Sequence, residues 1–222
     1  MTTLKLFTGI CIILFLTNCA ATLPLNQKFY NSKKVGVIVQ IDSIGIAKEG
    51  AQGLLDMAMT PGDKYREPLN TIAPKVNPEA LLITEISNLL KGKNKQFVVL
   101  PENILNQNLV NFDSPQSGEA KYYKKDLRAI KTQHNVEEVL YLKVKYGLLV
   151  SYYSMIETDR KGYIAITTNI IDLDDNSLLS HNILKASAPI NGKWKEAPEY
   201  NNLKNAIQAA INQSVTQLAA KF

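Results

Sequence analysis

The strongest constraint on the fold is an alternation of apolar and polar residues at 139–146, followed by two further strand-like runs at 162–173 and 178–186. Side chains of a β-strand point alternately to the two faces of a sheet, so a period of two predicts strands with one buried face. The pattern is interrupted by Asp174-Asp175-Asn176-Ser177, a combination typical of a tight turn. We therefore predict three consecutive strands, at 139–146 with an extension to Tyr153, at 162–173 and at 178–186.

A second periodicity predicts helices around these strands. Positions 200–221 carry apolar residues at three- and four-residue spacing, which indicates a long amphipathic C-terminal helix. Asn77-Pro78-Glu79 combines an N-cap, a first-turn proline and an acid, and so begins a helix that ends at Lys91-Gly92. The order β-α-β-α-β-β-β-α predicts one α+β domain, a mixed sheet packed by helices. The other predicted elements are strands at 35–41 and 96–101 and helices at 102–110 and 122–132.

An irregular insertion at 42–77 follows the first strand and is rich in glycine and proline. Insertions of this length in a compact domain are usually functional or mobile. Its apolar centre can repack against a partner, and the alternative is that it covers a sheet edge. The residues predicted there as partner contacts are Leu54, Leu55, Met57 and Met59.

Aromatic residues supply two further predicted contacts. Neighbouring residues of a strand face opposite sides, so one of Tyr152 and Tyr153 is expected at the surface. Exposed tyrosine and tryptophan favour recognition surfaces, which adds Tyr152 and Trp194 to the predicted contacts. The alternative is ordinary packing at the rim of the core.

The N-terminus has the layout of a secretory signal. Lys5 is followed by an apolar run at 6–16, which is shorter than the ~20 residues of a membrane-spanning helix. We predict a signal peptide at 1–18. Its removal would take Cys11 with it and leave Cys19 as the only cysteine, so no internal disulfide is expected.

The residues Leu16-Thr17-Asn18-Cys19-Ala20 resemble the lipobox of bacterial lipoproteins. That resemblance implies that Cys19 becomes the first residue of the mature chain and carries acyl chains such as palmitate. Because Ala20 stands where aspartate would imply retention at the inner membrane, it also implies the outer membrane, with the domain in the periplasm and surface exposure left open. Positions 19–32 lack periodicity and are predicted to be a lipid-anchored tether before a domain at 33–222.

The predicted hairpin at 169–179 resembles a strand–Asp–turn–strand signature of periplasmic lipoprotein domains. These include the Tol-system N-terminal module, the curli-secretion lipoprotein and the penicillin-binding-protein activator lipoproteins. Two tasks fit a tethered domain equally, activation of a cell-wall synthase or formation of a ring in a secretion or surface-structure complex.

Motifs for catalysis, metal binding or cofactors are not found in the sequence. The histidines, His134 and His181, belong to no cluster of histidine, cysteine and carboxylate residues at ligand spacing, and the acidic turn after Asp172 lacks the glycine and glutamate of a calcium loop. We therefore predict no metal, no cofactor and no enzymatic activity. The alternative is an enzyme that processes envelope polymers, which would require Glu137, Glu138 and Asp172 to converge in one cleft.

The net charge of +5 comes from dispersed lysines, without the arginine-rich stripes used for nucleic acids. We expect a slightly basic, solvated surface and no nucleic-acid partner. Together these features predict a membrane-anchored, non-catalytic binding or assembly subunit with an envelope protein as partner, and they leave an oligomer open.

Overall fold

The computed structural model describes residues 22–51, 63–106, 109–115 and 119–222. The predicted signal peptide and Cys19 lie outside these residues. So do the predicted contacts Leu54, Leu55, Met57 and Met59. These assignments therefore stay predictions.

Within the described ranges the chain forms six strands and five α-helices. The strands are β1 (Lys34–Ile41), β2 (Gly45–Ala51), β3 (Gln96–Leu100), β4 (Glu138–Tyr153), β5 (Ile156–Asp172) and β6 (Leu178–Pro189). The helices are α1 (Arg66–Ile72), α2 (Pro78–Gly92), α3 (Asn103–Asn106), α4 (Ala129–His134) and α5 (Asn201–Ala219).

The strands form one mixed sheet in the order β3-β1-β4-β5-β6, with β2 paired to β4 beyond the end of β1. β1 runs parallel to β3 and β4, and β2 runs parallel to β4, whereas β4, β5 and β6 are antiparallel. This sheet, packed by helices that include the C-terminal one, confirms the predicted α+β fold class. No helix in the part of the chain that the structure describes is long and apolar enough to cross a membrane.

The central hairpin is unusually long. β4 has 16 residues and β5 has 17, where strands of about 5–6 are common. The predicted extension of the first of these strands to Tyr153 is confirmed. The first half of β4 pairs with β1, and its second half, from Gly147 to Tyr153, is free to pair with β2.

The prediction of an irregular segment at 42–77 was wrong in part. Positions 45–51 form β2 and positions 66–72 form α1. Most of β2 is exposed and carries glycine, lysine and glutamate, so its own pattern does not indicate a strand. The backbone edge that β4 offers beyond β1 decides its conformation.

The helix predicted at 122–132 was also wrong over positions 122–128, because α4 begins only at Ala129. Asn176, from the turn between β5 and β6, is fully buried, and its side chain holds the loop that precedes α4. Its Oδ1 accepts from Leu127 N at 3.0 Å and its Nδ2 donates to Tyr123 O at 2.9 Å. These bonds compete with the helical ones.

Two cores lie on opposite faces of the sheet. The larger one packs α1, α2 and α5 against one face. Gly162 permits the close approach of α5, because a Cβ there would lie 2.2 Å from the backbone carbon of Ala206. The smaller core lies on the other face beneath α3 and α4 and includes Ile38, Leu127, Ile130, Tyr141 and Ile171.

The described part of the predicted tether, residues 22–32, lies against the domain. Leu23 forms an antiparallel bridge with His181 of β6, with N···O distances of 2.7 and 3.0 Å. Asn26 N donates to Leu179 O at 2.8 Å, and Phe29 is fully buried in the larger core. Backbone pairing and burial of an aromatic ring therefore hold a segment whose sequence shows no periodicity.

Candidate functional site

Four carboxylates and two lysines line a cavity of about 300 Å³ where β4 begins and β5 ends. The cavity is closed on one side by the short 3-10 turn Gln27–Asn31. Glu137, Glu138 and Asp172, whose convergence the sequence left open, therefore meet in one place. The complete lining is Lys28, Asn31, Ser32, Lys131, Glu137, Glu138, Asp172 and Asp174.

The sheet register brings two of these acids together. Glu138 and Asp172 are directly paired residues on the antiparallel strands β4 and β5. Directly opposite side chains share a face of the sheet and lie within reach of one another. Two like charges at that position repel, and both residues are buried, with exposures of 2% and 5%. The arrangement therefore requires compensation by cations or by protonation.

Lys95 supplies one cation from the loop between α2 and β3. Its Nζ lies 3.7 Å from Glu138 Oε2, and the two side chains are 1% and 3% exposed. A lysine ammonium has three N–H donors. Here the acceptors are the carbonyl oxygen of Phe29, the carbonyl oxygen of Ser32 at 2.8 Å and its Oγ at 2.6 Å.

Glu138 Oε2 is left without a hydrogen-bond donor among the described residues. The three N–H groups of Lys95 are directed to the N-terminal segment, so Lys95 offers Glu138 a charge at a distance only. Burial raises the pKa of Glu138 to about 7, while the Ser32 side chain and the charge of Lys95 oppose the rise and the charge of Asp172 adds to it. Burial also lowers the pKa of Lys95, against the pull of Glu138.

The other carboxylates of the cavity have partners. Asp172 pairs with Lys28 and accepts from Asp174 N at 2.7 Å, and Asp174 pairs with Lys131. Glu137 accepts from the backbone N–H of Lys33 at 2.6 Å. The network thus joins the N-terminal segment to β4, β5 and α4. Within the described ranges, no group of three or more His, Cys, Asp or Glu residues is arranged to hold a metal ion.

The two aromatic contacts predicted from the sequence do not form one exposed surface. Tyr152 is only 4% exposed, and its hydroxyl lies 3.3 Å from the hydroxyl of Tyr65. Trp194 is half-buried, with its ring 5.4 Å from the ring of Tyr65 and beneath the Arg160 guanidinium at 4.8 Å. A partner therefore does not reach the Tyr152 ring at this surface. The outward residue of the pair is Tyr153.

The turn between β4 and β5 carries an apolar group that the sequence analysis did not single out. We call Tyr153, Met155 and Ile156 the hairpin tip; their exposures are 71%, 60% and 66%. Tyr141 of β4 lies in the same row of paired residues as His181 of β6, which pairs with Leu23 of the N-terminal segment. Tyr153, at the tip, lies 12 residues farther along β4. At ~3.3 Å per strand residue, that separation is about 40 Å. The signal in the sequence was the group Tyr153, Met155 and Ile156 at and beside the two-residue turn Ser154-Met155.

No protein-family model matches the chain, and no curated protein matches it. Several solved structures are similar to it. A neuraminyllactose-binding hemagglutinin homolog from Helicobacter pylori has 12% identity and a TM-score of 0.39, covering 87% of this chain and 84% of that one. Lipoprotein GNA1162 from Neisseria meningitidis has 13% identity and a TM-score of 0.34, covering 82% and 99%. A minor lipoprotein from Acinetobacter baumannii has 11% identity and a TM-score of 0.33, covering 83% and 92%.

Proposed function

We propose that this chain is an envelope lipoprotein, anchored through Cys19 at the outer membrane, that acts as a non-catalytic binding or assembly subunit in the periplasm. The observation that carries the binding role is the hairpin tip. The anchor is supported by the signal layout and the cysteine that ends it. The N-terminal segment and the tip lie at opposite ends of the long strands, so one end serves attachment and the other recognition.

The tip is suited to bind a protein. Tyr153, Met155 and Ile156 are each more than half exposed, and aromatic and methionine side chains are enriched in interface cores. The ladder between β4 and β5 pairs Tyr153 with Ile156, which keeps the entropy cost of ordering these two residues on binding low. Ser154 N donates to Ala51 O at 2.8 Å, so Ala51, which precedes the predicted contact residues in the sequence, lies beside the tip.

Crosslinking in the native envelope tests the tip. A photoreactive amino acid at Tyr153 should capture a specific protein, whereas the same group at Lys91 on α2 should not. The double variant Met155→Ser, Ile156→Ser should lose the crosslinked product and keep the melting temperature, because both side chains are already solvated. A product that is equally strong from both positions, or that survives the double variant, would contradict a contact at the tip.

The lipid anchor is tested separately by membrane fractionation. The wild-type chain should sediment with the outer membrane, and Cys19→Ser should be released. Two or three acyl chains anchor stably where one is marginal, so the difference should be large. Equal distribution of the two proteins would contradict lipidation at Cys19.

Two tasks fit such a subunit, activation of a cell-wall synthase and formation of a ring. Size-exclusion chromatography with light scattering on residues 20–222 separates them. A stable large oligomer favours the ring, whereas a monomer favours an activator or adaptor.

An enzyme of envelope polymers is the second candidate, because Glu137, Glu138 and Asp172 converge on one cavity. A carboxyl group with a pKa of about 7, as at Glu138, suits a general acid. If the chain is an enzyme, it should release soluble fragments from purified cell-wall polymers and Glu138→Gln should abolish the release. The non-catalytic proposal expects no release from either protein.

A further inference from the structure

Among the described residues, no helix covers one part of the sheet. The smaller core occupies one end of its second face, up to Tyr141 and Ile171. Farther along the strands, side chains on that face meet solvent. We call this region the lysine face; its members are Lys143, Lys145, Tyr163, Ala165, Thr167, Ile183 and Lys185.

Register places the lysines of this face close together. Lys145, Ala165 and Lys185 form one row across β4, β5 and β6, and Lys143 begins the next row. Neighbouring strands are ~4.8 Å apart, so the backbones at Lys145 and Lys185 are about 10 Å apart with only a methyl group between them. In the described part of the chain, none of the three lysines forms an ion pair or a side-chain hydrogen bond.

Two shallow depressions flank Tyr163 on this face. One, of about 270 Å³, is lined by Lys145 and Tyr163, and the other, of about 240 Å³, is lined by Lys185 and Tyr163. The acids that line them, Asp42 and Glu49, come from the β2 side of the sheet. Each depression thus offers a lysine ammonium beside Tyr163, and both side chains can donate hydrogen bonds to an anionic oxygen.

The N-terminal segment reaches the sheet beside this face. Leu23 pairs with His181, two residues before Ile183 on β6. Cys19 precedes Leu23 by four residues in the sequence, and four residues of extended chain span at most ~14 Å. Acyl chains at Cys19 would therefore hold this edge of β6 near the headgroups of the membrane.

We propose that the lysine face binds the anionic phospholipid headgroups of the membrane to which the chain is anchored. The position of the face relative to Cys19 rests on the proposed lipid anchor. The positive charge of the face is independent of that anchor. An acyl anchor at the N-terminus alone would leave the domain free to rotate relative to the membrane. A second, electrostatic contact through the lysine face would orient the domain with its sheet against the bilayer.

Vesicle binding by residues 20–222, which contain both cores and lack Cys19, tests the face without the anchor. The protein should co-sediment with vesicles of phosphatidylcholine and phosphatidylglycerol in equal parts, and not with phosphatidylcholine alone. Each lysine near an anionic surface contributes about fivefold, so the triple variant Lys143→Gln, Lys145→Gln, Lys185→Gln should bind about 100-fold more weakly.

The matched control replaces Lys91, Lys193 and Lys195, which are exposed and belong to the helical side of the molecule, with glutamine. It removes the same charge and should bind as the wild type does. Equal loss in both triple variants, or binding that ignores phosphatidylglycerol, would overturn the proposal, as would binding to dextran sulfate without binding to vesicles. If the triple variant unfolds, Lys145→Gln alone should still weaken binding about fivefold. Failure of this test leaves fractionation of Cys19→Ser to decide the anchor.

Discussion

At the scale of single residues, Lys95 is expected to contribute strongly to the free energy of unfolding. Replacing it with methionine removes the donor to Phe29 and Ser32 and leaves Glu138 buried without a counter-charge. Breaking a buried pair in this way costs about 3–5 kcal/mol of unfolding free energy, measurable by urea denaturation. Lys93→Met, a change at an exposed neighbour, is the control and should have little effect.

The double variant Lys95→Met, Glu138→Gln distinguishes the pair from simple loss of packing. It should be more stable than Lys95→Met alone, because it also removes the orphaned charge. If the double variant loses as much unfolding free energy as the two single variants lose together, the two residues are not coupled.

Glu138 also predicts a pH dependence. Its pKa rises from 4.5 to about 7 on folding, so the folded state holds this proton more tightly than the unfolded chain does. The resulting stability is complete below pH 4.5 and is lost as the pH rises through about 7. The loss amounts to about 3 kcal/mol. Urea midpoints of the wild type and Glu138→Gln between pH 4 and 8 should converge at low pH and separate at high pH; a constant difference would be evidence against the assignment.

At the scale of elements, the N-terminal segment is part of the domain and not a free tether. Phe29 is fully buried, packs edge-on against Phe222 and lies under the Lys95 ammonium. Phe29→Ala should therefore cost about 3–5 kcal/mol and expose residues 22–33 to proteases. Tyr30→Ala, at a neighbour that is 46% exposed, is the matched control. Comparable losses at the two positions would show that the segment does not dock as described.

At the scale of the whole molecule, the anchor and the lysine face together predict an orientation. In the lipidated protein, a fluorophore at Ser187→Cys, on the open side of the sheet, should be quenched by headgroup spin labels. A fluorophore at Lys91→Cys should not be, because α2 packs on the opposite face. Equal quenching at the two sites would mean that the domain has no fixed orientation on the membrane.

The sequence by itself determined the elements whose patterns are local. In β4, β5 and β6 the side chains alternate between the two faces of the sheet, and in α5 they repeat every 3.6 residues. A residue's position in the element therefore decides whether its side chain is buried, and the sequence shows this directly. The N-cap of α2 is equally local, and Asn77 Oδ1 accepts from Ala80 N as predicted. Together these patterns were enough to predict the α+β class.

Tertiary structure decided whatever depends on distant partners. β2 exists because β4 extends beyond β1, and the loop before α4 is held by Asn176 from another turn. Glu138 meets Lys95 and Asp172 only because strand register brings three separate segments together. Leu23 becomes part of the sheet by pairing with His181. The stabilisation that such a pairing gives depends on residues from both segments, so the sequence pattern of either segment alone does not predict it.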